Sequence, residues 1–304
     1  MKGSEMTQTA AVAPVCTAIV ENLQRLPELR PFPAVAARVV AVCQDPSTSS
    51  KDLVEILRCD PAIAARLLGV ANSSMYGCSG RIRTVEHAVV VLGFRAVAHL
   101  ALSVAGATVF AQGKTAAKER GALWSHSLGV ATVARLLAER VPGILPDEAF
   151  LAGIFHDVGK LFYHDLAHPV YLELLGRIRP PSGLSRSGLV AEEQQVFGIS
   201  HPELGRECGE AWGLTDEISI AIGYHHWPDA APDYPDLTAV TGAADVLAWE
   251  WQIGSQGEPS EALTAELEEA AAVLQGFGID QDGLEQVRAA APEAFTEIRR
   301  ACSA

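Results

Sequence analysis

The chain has 304 residues, 49% of them hydrophobic, and 23 basic against 37 acidic side chains give a formal net charge of −14. That length and apolar content suit one large or two ordinary globular domains. The acidic balance opposes non-specific attraction to nucleic-acid phosphates or anionic lipid, so neither a nucleic-acid nor a membrane partner is expected.

The tail, residues 1–20, reads as flexible, and it lacks the apolar core of a signal peptide, with Glu5 where that core would begin. From there the periodicity is helical nearly everywhere, without a convincing run of strand alternation, which predicts an all-α fold. "PAVAARVVAVCQ" opens with Pro33 in its first turn, and "SSKDLVEILRC" follows a serine cap. In "DPAIAARLLGVAN", Asp60 caps and Pro61 takes the first helical position; "TVEHAVVVLG" runs from a Thr84 cap to a stop at Gly93. The apolar stretch from Ala88 to Ala111 contains Arg95 and His99, and reads as core helix rather than membrane span. Residues 21–115 therefore form an N-terminal helical subdomain. A helix-turn-helix reading of "RCDPAIAARL" fails for want of base-reading side chains, since the second helix offers mainly Arg66 and Asn72.

Residues 116–254 form a second helical region. It holds "LWSHSLGVATVARLLAERV", then "LPDEAF" leading into "AFLAGIFHDVGKLF". After a Pro/Gly/Ser-rich connection at "RPPSGLSRSG", Ser200 and Glu203 have capping-box spacing in "SHPELGRECGEAWG". "TDEISIAIGYHH" starts at a Thr215 cap, and "LTAVTGAADVLAWEW" is one further helix. Residues 255–304 read as a linker and an acidic, Ala-rich helical extension with no recognisable chemistry. Six cysteines, Cys16, Cys43, Cys59, Cys78, Cys208 and Cys302, stand singly with no Cys-x-x-Cys pair, as expected of reduced thiols in a cytoplasmic protein.

The chemistry concentrates in residues 149–162, where His156, Asp157 and Lys160 are the only polar side chains among eleven apolar or glycine positions. A buried carboxylate is normally paired, hydrogen-bonded or bound to metal. Taken alone, "HDVGK" supports two readings equally: an internal Asp157–Lys160 ion pair, or a ligand pair. On one helix His156 and Asp157 would lie about 100° apart, with Lys160 a neighbour of both. His126 within "WSHSLGVATVA", His201 opening "SHPELG", His225 and His226 ending an apolar helix, and Asp245 interrupting "GAADVLAW" each have ordinary explanations. Together with His156 and Asp157 they supply imidazoles and carboxylates suited to a divalent transition metal, whether Fe, Mn, Ni, Co or Zn. His164 and His168 read as structural or surface residues, and His87 and His99 belong to the N-terminal helices.

The order His126, His156-Asp157, His201, His225-His226, Asp245 resembles the HD superfamily of metal-dependent phosphohydrolases. The upstream "LPELRPFPAVAARVVAVCQDPSTSSKDLVEILRCDPAIAARLLGVANSSMYG" and "RTVEHAVVVLGFRAVAHLAL" resemble the N-terminal half of HDOD domains, HD-related output domains of bacterial signalling proteins. The likeness runs over roughly residues 22–230. It implies an all-helical HDOD/HD fold, an N-terminal bundle packed on an HD-like region, with one or two metal ions. Carried over residue by residue, His126, His156, Asp157 and Asp245 would surround one ion, and Asp157 would bridge to a second held by His201, His225 and His226. Asp157 and Lys160 would be the catalytic residues, Lys160 either meeting a phosphate oxygen or holding Asp157. Two functions follow from the likeness. One is a phosphohydrolase or phosphodiesterase acting on a phosphorylated small molecule or nucleotide; the other is a non-catalytic signalling module that binds a protein partner and keeps the metal as a staple or vestige. The ligand set also resembles the HD-GYP phosphodiesterases of cyclic di-GMP, but "HHWPDAAPDYP" departs from their loop. Trp227 replaces the Glu, Ala230-Ala231 the Asp-Gly, and Asp233 the second Gly, while Tyr234 and Pro235 stay in register.

Overall fold

The computed structural model describes residues 30–78, 80–113, 116–178, 186–254 and 261–303. The expected tail, the connection at 179–185 and the linker at 255–260 lie outside these residues. Among the described residues every regular element is helical.

The N-terminal helices are α1 (Ala34–Gln44), α2 (Ser50–Arg58), α3 (Pro61–Ala71), α4 (Val85–Leu92) and α5 (Phe94–Ala111). Their ends follow the predicted side-chain chemistry. Ser49 and Asp52 form a reciprocal capping box, Asp60 accepts from the backbone of Ala62 and Ile63, and Thr84 accepts from that of His87. Asn72, weighed above as a base reader, instead staples a loop, donating to the Ile82 carbonyl at 2.7 Å and accepting from its N–H at 3.0 Å.

The second region contains α6 (Ala117–Ala138), α7 (Pro146–Phe155), α8 (Lys160–Leu166), α9 (His168–Ile178), α10 (Arg186–Phe197), α11 (His201–Ala211), α12 (Asp216–Tyr224) and α13 (Pro235–Glu250). Helices α6 and α7 are the central pair; α13 lies across both, and α12 packs on α7 and α13. Gly153 makes the central pair close, since a Cβ there would stand 2.6 Å from the Ala131 backbone. On α7 the side chains of Phe150, Leu151, Ile154 and Phe155 are fully buried, each contributing roughly 1.5–3 kcal/mol.

Helix α5 joins the two regions. By length and composition it could cross a membrane, yet most of it is buried, packed on α1, α3 and α4 to one side and on α6 and α7 to the other. A second tie is the buried guanidinium of Arg30, which pairs with Asp165 on α8 at 2.7 Å and donates to the Val109 carbonyl on α5. Beyond the site, α14 (Glu261–Gly276) lies along α13, and α15 (Gln281–Ser303) returns to pack on α6 and α3.

Candidate metal centre

The sequence predicts one helix through residues 149–162, and here the structure differs. Helix α7 ends at Phe155 and α8 starts at Lys160, with His156–Gly159 wound in tight turns between them. The hydrogen bonds across this stretch run from residue i+3 to i: Val158 to Phe155, Lys160 to Asp157 and Leu161 to Val158, at 3.0–3.1 Å. At about three residues per turn, side chains three apart are eclipsed. Lys160 Nζ therefore reaches Asp157 Oδ2 at 2.6 Å. Gly159 is required because a Cβ there would meet the His201 carbonyl oxygen at 2.0 Å, so the turn sits against the start of α11.

The seven expected ligands converge from five places: His126 in mid-α6, His156 and Asp157 in the turn, His201 at the start of α11, His225 and His226 after α12, and Asp245 on α13. Asp157 is the hub. Its Oδ2 stands 3.4 Å from His156 Nε2 and 3.7 Å from His126 Nε2, and its Oδ1 stands 3.2 Å from His201 Nε2 and 4.0 Å from His225 Nε2. Asp245 Oδ1 faces His126 Nε2 at 2.9 Å and His156 Nε2 at 3.6 Å, while His226 Nε2 is 3.1 Å from His201 Nε2. All seven are buried except the half-buried His226.

Three histidines are oriented by their Nδ1 atoms. His156 uses the Gly153 carbonyl at 2.8 Å, His225 the Ile222 carbonyl at 2.7 Å, and His201 the Glu193 carboxylate at 2.6 Å. Each bond leaves Nε2 directed at the centre, the arrangement in which a neutral imidazole offers a lone pair. His156 Nε2 and His225 Nε2 are fully buried without a hydrogen-bond partner.

The charges agree with this geometry. Burial lowers His126, and burial with neighbouring imidazoles holds His225 well below the usual histidine range, so both are neutral. Burial opposes charge on Asp157, but Lys160 and His156 overcome it and hold the carboxyl well below its ordinary range. His156 moves the other way: burial would lower it, yet Asp157 and Asp245 outweigh burial and push it up to about 9. Without metal the two carboxylates are balanced by Lys160 and a protonated His156, and a cation bound at the centre would take the place of that proton.

Three subsets place their donor atoms within 4.8 Å of one another: His126, His156 and Asp157; His156, His225 and Asp245; and His201, His225 and His226. Buried imidazole nitrogens without hydrogen bonds, beside the Asp157 and Asp245 carboxyls, fit a divalent transition-metal ion in the nitrogen- and oxygen-rich class. Beside His225 and His226 a cleft opens between α13 and α14, walled by Ala239, Ala243, Val246 and Ala270, with Glu266 and Glu269 also lining it.

His164 and His168 stand 3.3 Å apart by their Nδ1 atoms, and His99 is buried in α5. Two residues near the site escaped the sequence reading. Glu193 is fully buried against His201, eight positions ahead of it and across the turn at Gly198; that spacing was the only signal available. Trp249 packs its ring 5.8 Å from that of His126 and was hidden in an ordinary helical pattern.

The sequence profile of the HDOD domain matches residues 29–228, well over half of the chain. The chain is 24% identical over 242 residues to an uncharacterized protein of Treponema pallidum (strain Nichols), covering 79% of this chain and 45% of that one. It is 28% identical over 152 residues to ribonuclease Y of Aquifex aeolicus (strain VF5), covering 50% of this chain and 21% of the relative. The chain spans less than half the length of these curated relatives. The fold is similar to that of a Shewanella amazonensis SB2B protein named "Putative phosphohydrolase", with a TM-score of 0.73, 24% identity and coverage of 94% of this chain and 98% of that one.

Proposed function

The chain belongs to the HDOD domain family, and on that premise we propose that it is a signalling output domain whose HD-type metal centre hydrolyses phosphoesters. The observation that carries this reading is the convergence on Asp157 of the buried Nε2 atoms of His156 and His225, neither of which makes a hydrogen bond within the protein. A divalent metal held there supplies Lewis acidity toward a phosphoryl oxygen and a usable water nucleophile near neutral pH. The chain's residues do the rest. His126, His156, Asp157 and Asp245 would hold one ion, and His201, His225 and His226, with Asp157 between, a second. Lys160 holds Asp157 ionised and in place. Its ammonium is partly exposed, and from there it can also meet a phosphate oxygen. The names of ribonuclease Y and the Shewanella protein support phosphoester chemistry, and a phosphorylated small molecule or nucleotide is the substrate class.

The test is elemental analysis of protein purified without chelator, followed by a screen of phosphomonoesters, phosphodiesters and nucleotides with Mn, Fe, Co, Ni and Zn. Metal-dependent turnover that Asp157→Asn abolishes is expected. Metal-loaded protein that turns over nothing, or turnover unchanged in Asp157→Asn, would overturn the catalytic reading.

A second reading, a non-catalytic module that binds a protein partner, is favoured by α4, where Val90 is 81% and Val91 48% exposed. Adjacent exposed apolar side chains are a feature of interaction surfaces. In that case a partner recovered from the native cell extract is retained by Asp157→Asn and lost in Val90→Lys.

A further inference from the structure

The imidazoles of the centre are not oriented alike. His156 and His225 are each held through Nδ1 by a neutral main-chain carbonyl, whereas His201 is held by a carboxylate. Glu193 is 0% exposed, and a buried carboxylate is expensive unless its oxygens are used. Both are: Oε2 receives His201 Nδ1 at 2.6 Å and the His201 main-chain N–H at 2.9 Å, and Oε1 accepts the Tyr171 hydroxyl at 3.1 Å. The main-chain contact fixes where α11 begins and the side-chain contact fixes how its first imidazole points. Glu193 belongs to α10 and Tyr171 to α9, elements that supply no ligand themselves.

A carboxylate on Nδ1 does two things a carbonyl does less well. It fixes the Nδ1–H tautomer, and it pushes electron density toward Nε2, which makes the ring a stronger donor. His201 Nε2 stands 3.2 Å from Asp157 Oδ1 and 3.1 Å from His226 Nε2, between the Asp157 carboxyl and the least buried histidine of the centre.

We propose that Glu193 is a positioning residue that makes His201 the anchoring ligand of the metal position it shares with His225 and His226, and that Tyr171 holds Glu193 for that task. The inference rests on the metal-centre reading above. It assigns the asymmetry between the two positions to α9 and α10, so that losing Glu193 weakens one position and spares the one built from His126, His156 and Asp245.

The experiment titrates Co(II) into metal-free wild type, Glu193→Gln and Tyr171→Phe, following the visible d–d bands and bound metal by elemental analysis. Glu193→Gln keeps the shape and removes the charge, and is expected to weaken one of the two binding steps ten- to a hundred-fold while the other is unchanged. Tyr171→Phe is expected to weaken the same step less than ten-fold. Equal weakening of both steps, or wild-type binding by a folded Glu193→Gln, would overturn the proposal. A readout in the metal-free protein separates this claim from the metal reading. Nitrogen-15 imidazole shifts are expected to report His201 as the pure Nδ1–H tautomer in wild type and as a mixture in Glu193→Leu. Should wild type bind no metal, the metal reading fails, and with it the anchoring role. The tautomer spectra then decide the orienting role alone, an unchanged tautomer in Glu193→Leu defeating it.

Discussion

Two polar clusters at the ends of α7 are built on opposite plans. Around Asp147, at the start of α7, opposite charges meet directly. Arg135 reaches the carboxylate at 2.7 Å, the Tyr76 hydroxyl donates to it at 2.6 Å, and the guanidinium lies 4.1 Å above the Tyr76 ring. This cluster ties the loop after α3 to α6 and α7. Around Asp157, at the other end of α7, Lys160 and His156 share the charge of the carboxylates, and the Nε2 atoms of His156 and His225 are buried without a hydrogen bond. The first cluster pairs its own charges, and the atom it leaves buried without a hydrogen bond, Arg135 Nε, is a donor that cannot ligate a metal; its product is stability. The second is incomplete in the protein's own atoms, and the groups left over are those that ligate metal. Burial and charge alone do not separate structure from chemistry; the accounting of lone pairs does.

Breaking the self-paired cluster should have the largest effect on folding. Arg135→Met leaves the Asp147 carboxylate partly buried without its cation, a change that costs about 3 kcal/mol. Urea denaturation should register that loss, with metal stoichiometry unchanged. Loss of metal with undiminished stability would show that the clusters are not independent.

The converse substitution is made at the centre. His225→Leu removes a buried imidazole whose Nε2 makes no hydrogen bond, so the metal-free variant should be at least as stable as wild type. What it should lose is the gain on adding metal, about 2.7 kcal/mol at a hundred times the dissociation constant. Thermal unfolding with and without Mn or Co checks both halves. A His225→Leu protein that unfolds earlier without metal would place His225 with Asp147, among the structural groups.

A lone buried histidine tests whether a partnerless imidazole suffices to mark a site. His99 Nδ1 has no hydrogen bond, and burial lowers its pKa to about 4 from 6.5, but it has no convergent ligands around it. Between those two values the unfolded chain binds a proton that the folded chain refuses, so acidification favours unfolding. Its contribution is present in full above pH 6.5 and falls away toward pH 4, by on the order of 2–3 kcal/mol. His99→Leu should flatten that part of the stability profile, with metal binding unaltered. An unchanged slope would assign the acid sensitivity to other groups.

Much of this architecture is legible in the sequence, because it is written in local rules. Asp60, Thr84 and Ser200 announce helix starts by side-chain chemistry within three residues, and the structure uses all three. Thr215 follows the same rule, and there the side chain makes no capping bond. The seven expected ligands are legible as a set only through the likeness, since single histidines carry no sign of what they face. The break at His156–Gly159 is not legible: the segment is apolar and helical in composition, and the turn is imposed by the approach of His201 to Gly159. Nor is Glu193, one of two adjacent acids in a polar helix, whose burial depends on how α10 meets α11.

The smallest effect compares two helix caps, one in each region. Asp60 accepts from Ala62 and Ile63 at 3.0 Å each, far from the ligands; Ser200 and Glu203 form the box that opens α11, and His201 is the next residue. Asp60→Ala and Ser200→Ala should each cost about 1 kcal/mol in urea denaturation. They should part company in metal affinity. Fraying the first turn of α11 loosens the main chain that carries His201, so Ser200→Ala should weaken metal binding a few-fold, whereas Asp60→Ala should leave it at the wild-type value. Equal metal affinities would mean that the Glu193 contacts to His201 hold the ligand without help from the cap. The orientation of that imidazole would then depend on α10 alone.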